Sequence, residues 1–598
     1  MKKILFILAI TMGTMSCNKF LDRKPVTSYT TDGFYNSEAN IKYGLNGVYQ
    51  SIYWEVPTSL PQYVLFDHYT PLGIERTENS SLGAGGALNP DNGTVLNTWV
   101  MAYQTIARCH SVLDGAKPFM DKLTPGAKQY LAEARVIRAW AYYYLVNLYG
   151  DVPFFTSAVG TDEFAAPRTP QVQIIDYLMT DLDDAATYMP WVSSDAGRAD
   201  KSVALGLKAR IALNAGSLNV GGKGVEYFKL ARDAAKQIID NSGRSLNPKF
   251  DDLFTRTGQI ANVNKELIWQ LMYSDQGVTR YHYITVGQVS RNYGQCGRFP
   301  TQILFDTYEC TDGKRIDESP LYDPKQPNVN RDPRLKSTIW MNGDTIIGNT
   351  SGTPAGRVKF VMDNYRAITS FYDYNSGTWS NKTNADINSA AAYTSPANSG
   401  VGFLWKKYCN ADDENVFKTT YNWIFMRYAE ILLTYAEAKI ELNELDNTVY
   451  DAIGKVRNRS GMPGVGADRI GNQGKLRQLV RRERKVELAF EGLHLFDMRR
   501  WKTGALENNS PTYGYPTATV VNNVITAGGY QNVTPDMIPN FKKSADADLN
   551  DIPDYSAYAS KLKKRDANRF WDDKFYLWPL PQGERDKDPN LKPQNTGY

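Results

Sequence analysis

The sequence predicts a mainly α-helical protein carrying long irregular loops and a few short β-strands. Three observations predict this. Apolar residues recur at helical spacing through much of residues 38–240 and again over 423–491. Between Asn241 and Tyr421 that periodicity lapses, and Gly, Asn, Asp, Ser and Thr become dense. Hydrophobic residues make up 42% of the 598, enough for a sizeable core and too many for a disordered chain.

Taken in order, the first helix begins near Glu38, with Ile41, Leu45, Val48 and Ile52 on one face. Periodicity is lost from Thr58 to Asn97, where GAGG at Gly83–Gly86 and NPDNG at Asn89–Gly93 mark a long loop, of the kind that often carries function. Helices follow from Val95 to Leu113 and from Pro125 to Tyr149, the second through the Ala-rich run AEARVIRAWAYYY; Trp99, inside the first, reads as core. Further helices are expected at Gln171–Tyr188 paired with Lys201–Leu218, and at Glu226–Ile239. In the irregular middle the sequence predicts strands at Leu267–Met272 and Phe403–Lys407 and a short helix at Thr301–Tyr308. Trp423–Leu442 pairs with Thr448–Arg459, and Gly474–Glu491 adds a last long helix. The stretch Thr503–Asp573, with its charged run KLKKRD at Lys561–Asp566, reads as a solvated surface insertion.

The last long helix is unusually charged. Glu483, Glu487 and Glu491 lie on one i,i+4 line, a repulsive arrangement that needs nearby cations such as Arg484, Arg499 or Arg500. Gly492 allows a tight turn, after which His494, Phe496, Asp497, Arg500 and Trp501 begin a second short helical piece whose aromatic groups can close over the first.

At the N-terminus Lys2 and Lys3 precede an apolar run, Ile4–Ile10, and the small residues Thr14 and Ser16 precede Cys17. This pattern predicts a signal peptide over 1–16, too short to span a bilayer as a lasting helix. Cys17 follows it as in a bacterial lipoprotein cleavage site, with Thr14 in place of the more usual Leu; an acylated Cys17 would be the lipid anchor of an otherwise soluble protein. The other cysteines, Cys109, Cys296, Cys310 and Cys409, are too sparse for a disulfide scaffold and leave two bridges or free buried thiols open.

Composition excludes several classes. With 68 Lys+Arg against 64 Asp+Glu the net charge is +4, so there is no electrostatic footprint for nucleic acid. The four histidines, His68, His110, His282 and His494, form no metal-ligand spacing, and neither G-x-S-x-G nor a phosphate-binding loop occurs. No cofactor, metal site or catalytic residue is predicted. A glycan-cleaving carboxylate pair carries no local motif that would single it out.

The run Gln478–Trp501 resembles the signature ER-x-x-EL-x-FEG-x-x-x-x-D-x-x-RW of SusD-like (RagB-like) outer-membrane nutrient-binding lipoproteins, through Glu483, Arg484, Glu487, Leu488, Phe490, Glu491, Gly492, Asp497, Arg500 and Trp501. His494 stands where that family often has Arg, and Met498 where it often has Leu. Three further motifs match in order: Cys17 with Phe20, Leu21, Asp22 and Pro25; Ala132–Phe155; and the closing WPLPQGE and DPNLKPQNTGY. The resemblance implies a scaffold of degenerate tetratricopeptide-like helix pairs, although no clean repeat of about 34 residues is present. It also implies a division into signal peptide 1–16, lipidated tether 17–31, N-terminal helical region 32–240 and C-terminal region 241–598 packed with it as one unit. The implied function is capture of an oligosaccharide or polysaccharide at the cell exterior and delivery to a SusC-like TonB-dependent outer-membrane transporter, with membrane contact through the lipid alone and no catalysis. A peptide ligand and, from another class, a glycan-cleaving enzyme remain open alternatives.

Aromatic residues are 12% of the chain, 38 of them Tyr, whose flat face and polar tip suit sugar contact. Residues 361–423 hold 12 aromatics in 63 positions, above the chain's average and in polar, loop-rich sequence. The ligand surface is expected where Leu65–Asn97 and Thr279–Phe299 converge, with Asp67, Tyr69 and Arg76 from the first segment, Tyr281, Tyr293 and Arg298 from the second, and Trp379 as an outer contributor.

Overall fold

The computed structural model describes residues 31–598 apart from 55–60, 79–81, 161–163, 263–264, 275–296, 350–355, 375, 385–386, 388–395, 397–399, 410–419, 522–523, 529–532 and 542–550. Six long helices lead the described residues: α1 (Glu38–Ser51), α2 (Gly93–Ala116), α3 (Pro125–Tyr149), α4 (Gln171–Thr187), α5 (Lys201–Ser217) and α6 (Gly224–Asn241). Their limits follow from local chemistry. In α3, the Thr124 side chain accepts the Ala127 N–H at 3.1 Å, Pro125 occupies the first turn where its missing N–H costs nothing, and Gly150 at φ +76° ends the helix.

Each of these helices packs on its neighbours in sequence, and α6 also packs on α7 (Tyr428–Glu441), which in turn contacts α8 (Asn447–Arg459) and α9 (Gln473–Glu487). α5 is buried from Ser202 to Gly216. Such a helix has no solvent face, so its charged Arg210 must be paired, and Glu430 of α7 holds it through two bonds of 2.7 Å. Gly206 permits close packing there, since a Cβ would collide with Met426. One apolar core extends from Ile41 to Leu591.

Short antiparallel strand pairs sit beside this helical array: β1 (Gly73–Glu75) with β3 (Arg298–Pro300), β2 (Leu267–Leu271) with β10 (Trp423–Arg427), and β4 (Ile339–Trp340) with β9 (Leu404–Trp405). The largest sheet has four strands in chain order, β5 (Thr345–Asn349), β6 (Arg357–Val361), β7 (Ile368–Asp373) and β8 (Thr378–Thr383). The helix expected from Trp423 therefore begins only at Tyr428. Residues 423–427 are all buried, and five consecutive buried apolar or paired side chains satisfy a strand as well as a helix; the partner strand at 267–271 decides.

The charged stretch 483–501 is buried rather than solvated. Glu483 pairs with Arg334 at 2.9 Å and with Arg457; Glu487 with Arg427 at 2.6 Å, Arg334 at 2.9 Å and Arg459; Glu491 with Arg427 at 2.7 Å and Lys407 at 2.9 Å. The cations expected locally do other work: Arg484 and Arg500 bind Asp497, Arg500 also binds Glu437 at 2.6 Å, and Arg499 donates to the Phe575 carbonyl at 2.9 Å. Gly492 has φ +77°, and a Cβ there would strike the Tyr63 carbonyl, so the turn after the signature requires glycine.

The solvated insertion expected over 503–573 is overturned for its described part. Asn508 donates to the Gly83 carbonyl at 2.7 Å, Asp551 pairs with Arg482, and Arg565, 1% exposed, donates to the Arg76 carbonyl at 2.6 Å. Charge alone does not imply solvation when each charged group meets a partner. Cys109 and Cys310 are free and buried, and Cys409 is buried; Cys296 lies outside the described residues.

Candidate functional site

The two segments expected to converge do meet. β1 and β3 pair in the register Gly73↔Pro300, Ile74↔Phe299 and Glu75↔Arg298, and the Arg76 N–H donates to the Gly297 carbonyl at 2.9 Å. At this rim Arg76 is exposed, and Arg298 is half-buried in an ion pair with Glu75 at 3.3 Å.

Asp67 and Tyr69 do not reach that surface, which corrects their placement as ligand contacts. They belong to a 3-10 helix, Gln62–Tyr69, whose eight residues are all buried. The Asp67 carboxylate accepts the backbone N–H groups of Glu491 and His494 at 3.0 Å and of Gly492 at 3.1 Å. It closes the turn behind the charged helix, and burial raises its pKa despite the nearby His494. The Tyr69 hydroxyl accepts from Gln62 at 3.0 Å, and its ring packs edge-on to Phe66 and Trp578. A loop poor in helical periodicity need not be exposed; here its backbone turns inward because short apolar runs outweigh the polar residues among them. Tyr281 and Tyr293 lie outside the described residues, as does Cys17.

Trp379 is 51% exposed on β8. Strand alternation builds its surroundings. Lys359, Tyr372 and Trp379 stand opposite one another on β6, β7 and β8, so their side chains share one face, together with Ile347 of β5. Ser370 pairs with Asn381 and Ile368 with Thr383 on the same face, while Val358, Phe360 and Phe371 face the core. The ring of Tyr372 lies 5.4 Å from that of Trp379 and 5.1 Å from that of Tyr374, just past the end of β7. Lys359 Nζ is 5.5 Å from the Tyr372 centroid and 5.3 Å from that of Tyr374, and the Arg357 guanidinium is 5.2 Å from Tyr374. The result is an open aromatic platform bordered by two cations.

Its supporting hairpin turns at Ser376–Gly377, where Gly377 takes φ +68° and donates to the Asp373 carbonyl at 2.8 Å. The rings are tilted or edge-on to one another; an exposed ring such as that of Trp379 can take the C–H face of a sugar, and the Ser, Thr and Asn side chains around it can orient hydroxyl groups. A separate cavity of about 600 Å³ lies between α2 and residues 584–591, bordered by Trp99, Tyr103, Phe155, Phe164 and Leu591. Trp99 itself is 4% exposed and packs on Tyr103 and Tyr149, in keeping with its expected place in the core.

The SusD family model matches residues 265–598, more than half of the chain. The chain belongs to the SusD family. A second model, described as starch-binding associating with outer membrane, matches residues 19–213. SusD-like protein P2 of Formosa agariphila is 24% identical over 622 aligned positions, covering 100% of this chain and 99% of the relative. A SusD-like protein of Bacteroides ovatus is 23% identical and covers 84% of this chain and 83% of its own length. Among solved structures, a SusD-like carbohydrate binding protein from Bacteroides fragilis superposes with TM-score 0.72 at 23% identity, over 94% of this chain and 100% of that one. Surface glycan-binding protein A from Bacteroides uniformis gives TM-score 0.58 at 18% identity, over 94% and 99%. At these identities the structures establish the SusD fold: a helical scaffold of tetratricopeptide-like pairs with few short strands.

In this SusD-family chain the sequence singled out Trp379 but not Tyr372, Tyr374, Lys359 or Arg357. A signal was present. RVKFV and ITSFYDY alternate with period two on either side of a short connection, and the aromatic enrichment of 361–423 falls on the second of them.

Proposed function

We propose that this SusD-family protein is a surface-exposed lipoprotein that binds an oligosaccharide or polysaccharide on the open face of the β5–β8 sheet and neighbouring loops. It passes the glycan to a SusC-like TonB-dependent transporter without cleaving it. The observation that carries the reading is the row of half-buried Tyr372 and exposed Trp379, set beside Tyr374 on a sheet whose opposite face is buried at Ile346, Val358, Phe360 and Phe371. Among the described residues no carboxylate stands on that open face. The words "carbohydrate binding" and "starch-binding associating with outer membrane", attached to a structural relative and to a matching family model, support the ligand class and the compartment. Cys17 after the short apolar run supports the lipid anchor.

Calorimetric titration of Trp379→Ala and Tyr372→Ala against a glycan that binds wild type tests the platform. Each substitution should cost on the order of 1 kcal/mol or more in affinity with the melting temperature nearly unchanged. Unaltered affinity in both variants removes this face as the site, and release of shortened glycan by the wild type overturns the non-catalytic reading. Cys17→Ala should fold normally yet leave the membrane fraction in cells lacking the transporter.

A further inference from the structure

We infer that the glycan bound at the β5–β8 face is anionic, carrying uronate carboxylates or sulfate esters; this rests on the platform reading above. Among the described members of that face only Lys359 and Arg357 carry formal charge, and both are positive. Asp373 occupies the position between Tyr372 and Tyr374 but belongs by alternation to the opposite face, in the row of Val358 and Thr378. Among the described residues Lys359 makes no ion pair, and its ammonium instead lies beside the rings of Tyr372 and Tyr374 at 5.5 and 5.3 Å.

Those distances matter for chemistry. A pyranose stacked on Tyr372 places its ring carbons over the aromatic centroid and its exocyclic substituents near the ring's edge, within reach of an ammonium 5.5 Å from that centroid. A neutral sugar offers only hydroxyl oxygens to such a cation. A uronate or sulfate offers full charge to the Lys359 ammonium. The protein's net charge of +4 is too small to draw polyanions to its whole surface, so the preference is a property of this face.

The test is retention of the soluble, anchor-free protein in affinity gels containing dextran, dextran sulfate or polygalacturonate, together with an array of neutral and anionic glycans. Dextran and dextran sulfate share a backbone, so their difference isolates charge, and polygalacturonate separates carboxylate from sulfate recognition. Preferential retention by an anionic polymer, weakened by 0.5 M NaCl, is expected. Lys359→Gln should weaken it on the order of fivefold, and Lys359→Arg should restore it. Trp379→Ala must weaken it as well, since a general charge effect would ignore the ring. Equal or stronger binding of neutral glycans overturns the inference and leaves the platform reading standing. Anionic binding that is indifferent to both Lys359→Gln and Trp379→Ala overturns its assignment to this face. Failure to bind any glycan, neutral or anionic, overturns the platform reading and this inference with it.

Discussion

Glu487→Gln removes one negative charge from the most enclosed part of the signature while keeping its shape. The wild-type carboxylate is 0% exposed and receives Arg427 at 2.6 Å, Arg334 at 2.9 Å and Arg459. Burial opposes ionisation, but Arg459, Arg427 and Arg334 together hold the Glu487 pKa well below the usual range. Removing one partner of a buried ion pair typically costs about 3–5 kcal/mol. The lower end applies here because each arginine keeps another carboxylate: Arg427 retains Glu266 and Glu491, Arg459 retains Glu266, and Arg334 retains Asp332 and Glu483. With an unfolding entropy of about 2.1 cal/mol/K per residue, a loss of about 3 kcal/mol lowers the melting temperature of a chain this long by roughly 2–3 °C. The sign with pH is fixed by the depressed pKa. The stabilisation is complete above the unfolded pKa of about 4.3 and is lost as pH falls toward the folded value, so the gap between wild type and variant should narrow below about pH 4. Differential scanning calorimetry at pH 7 and pH 3.5 measures both quantities. Lys236→Ala, which breaks the exposed Lys236–Asp240 pair, is the control and should not shift the transition. If Glu487→Gln moves the melting temperature no more than Lys236→Ala does, the buried ion lattice does not stabilise the fold as argued.

Asp67→Ala should lower stability by about 1–3 kcal/mol because three buried N–H groups at the Glu491–His494 turn lose their acceptor; glycan affinity lost at unchanged denaturation midpoint would contradict that role. Trp501→Ala should cost about 3–5 kcal/mol, since the 7% exposed ring is lost and Glu437 loses the indole N–H it accepts at 2.7 Å, and a urea titration showing less than about 1 kcal/mol would refute it. Asp306 is buried with its pKa raised to about 6, burial outweighing Arg331, Gln302 and Tyr555. A raised carboxyl pKa contributes stability below the unfolded value near 4 that is lost as pH rises through 6, so the stability of Asp306→Asn relative to wild type should improve by about 2–3 kcal/mol between pH 4 and pH 7. A pH-independent difference between the two proteins in chemical denaturation would exclude that coupling.

Read alone, the chain determined its helical scaffold and its family, because both are written in local order. Ile41, Leu45 and Val48 mark a buried stripe whatever they pack against, and Thr124–Pro125 with Gly150 mark the ends of a helix through their own side chains and backbone freedom. The signature from Glu483 to Trp501 was legible for the same reason, as was the meeting of the 65–97 and 279–299 segments, realised at Glu75 and Arg298. Only the tertiary structure decided which cations neutralise the signature. Arg334, Lys407, Arg427, Arg457 and Arg459 come from four separate stretches, and Coulomb attraction acts through space without trace in sequence spacing. It also decided that Asp67 and Tyr69 are scaffold, since a polar residue in an aperiodic stretch reads the same exposed to ligand or capping a buried turn. The platform divides between the two sources. Trp379 stood out by its chemistry, but its partnership with Tyr372 and Lys359 exists only once strand register sets three residues from different strands on one face, and a slip of one residue would have turned them to the other.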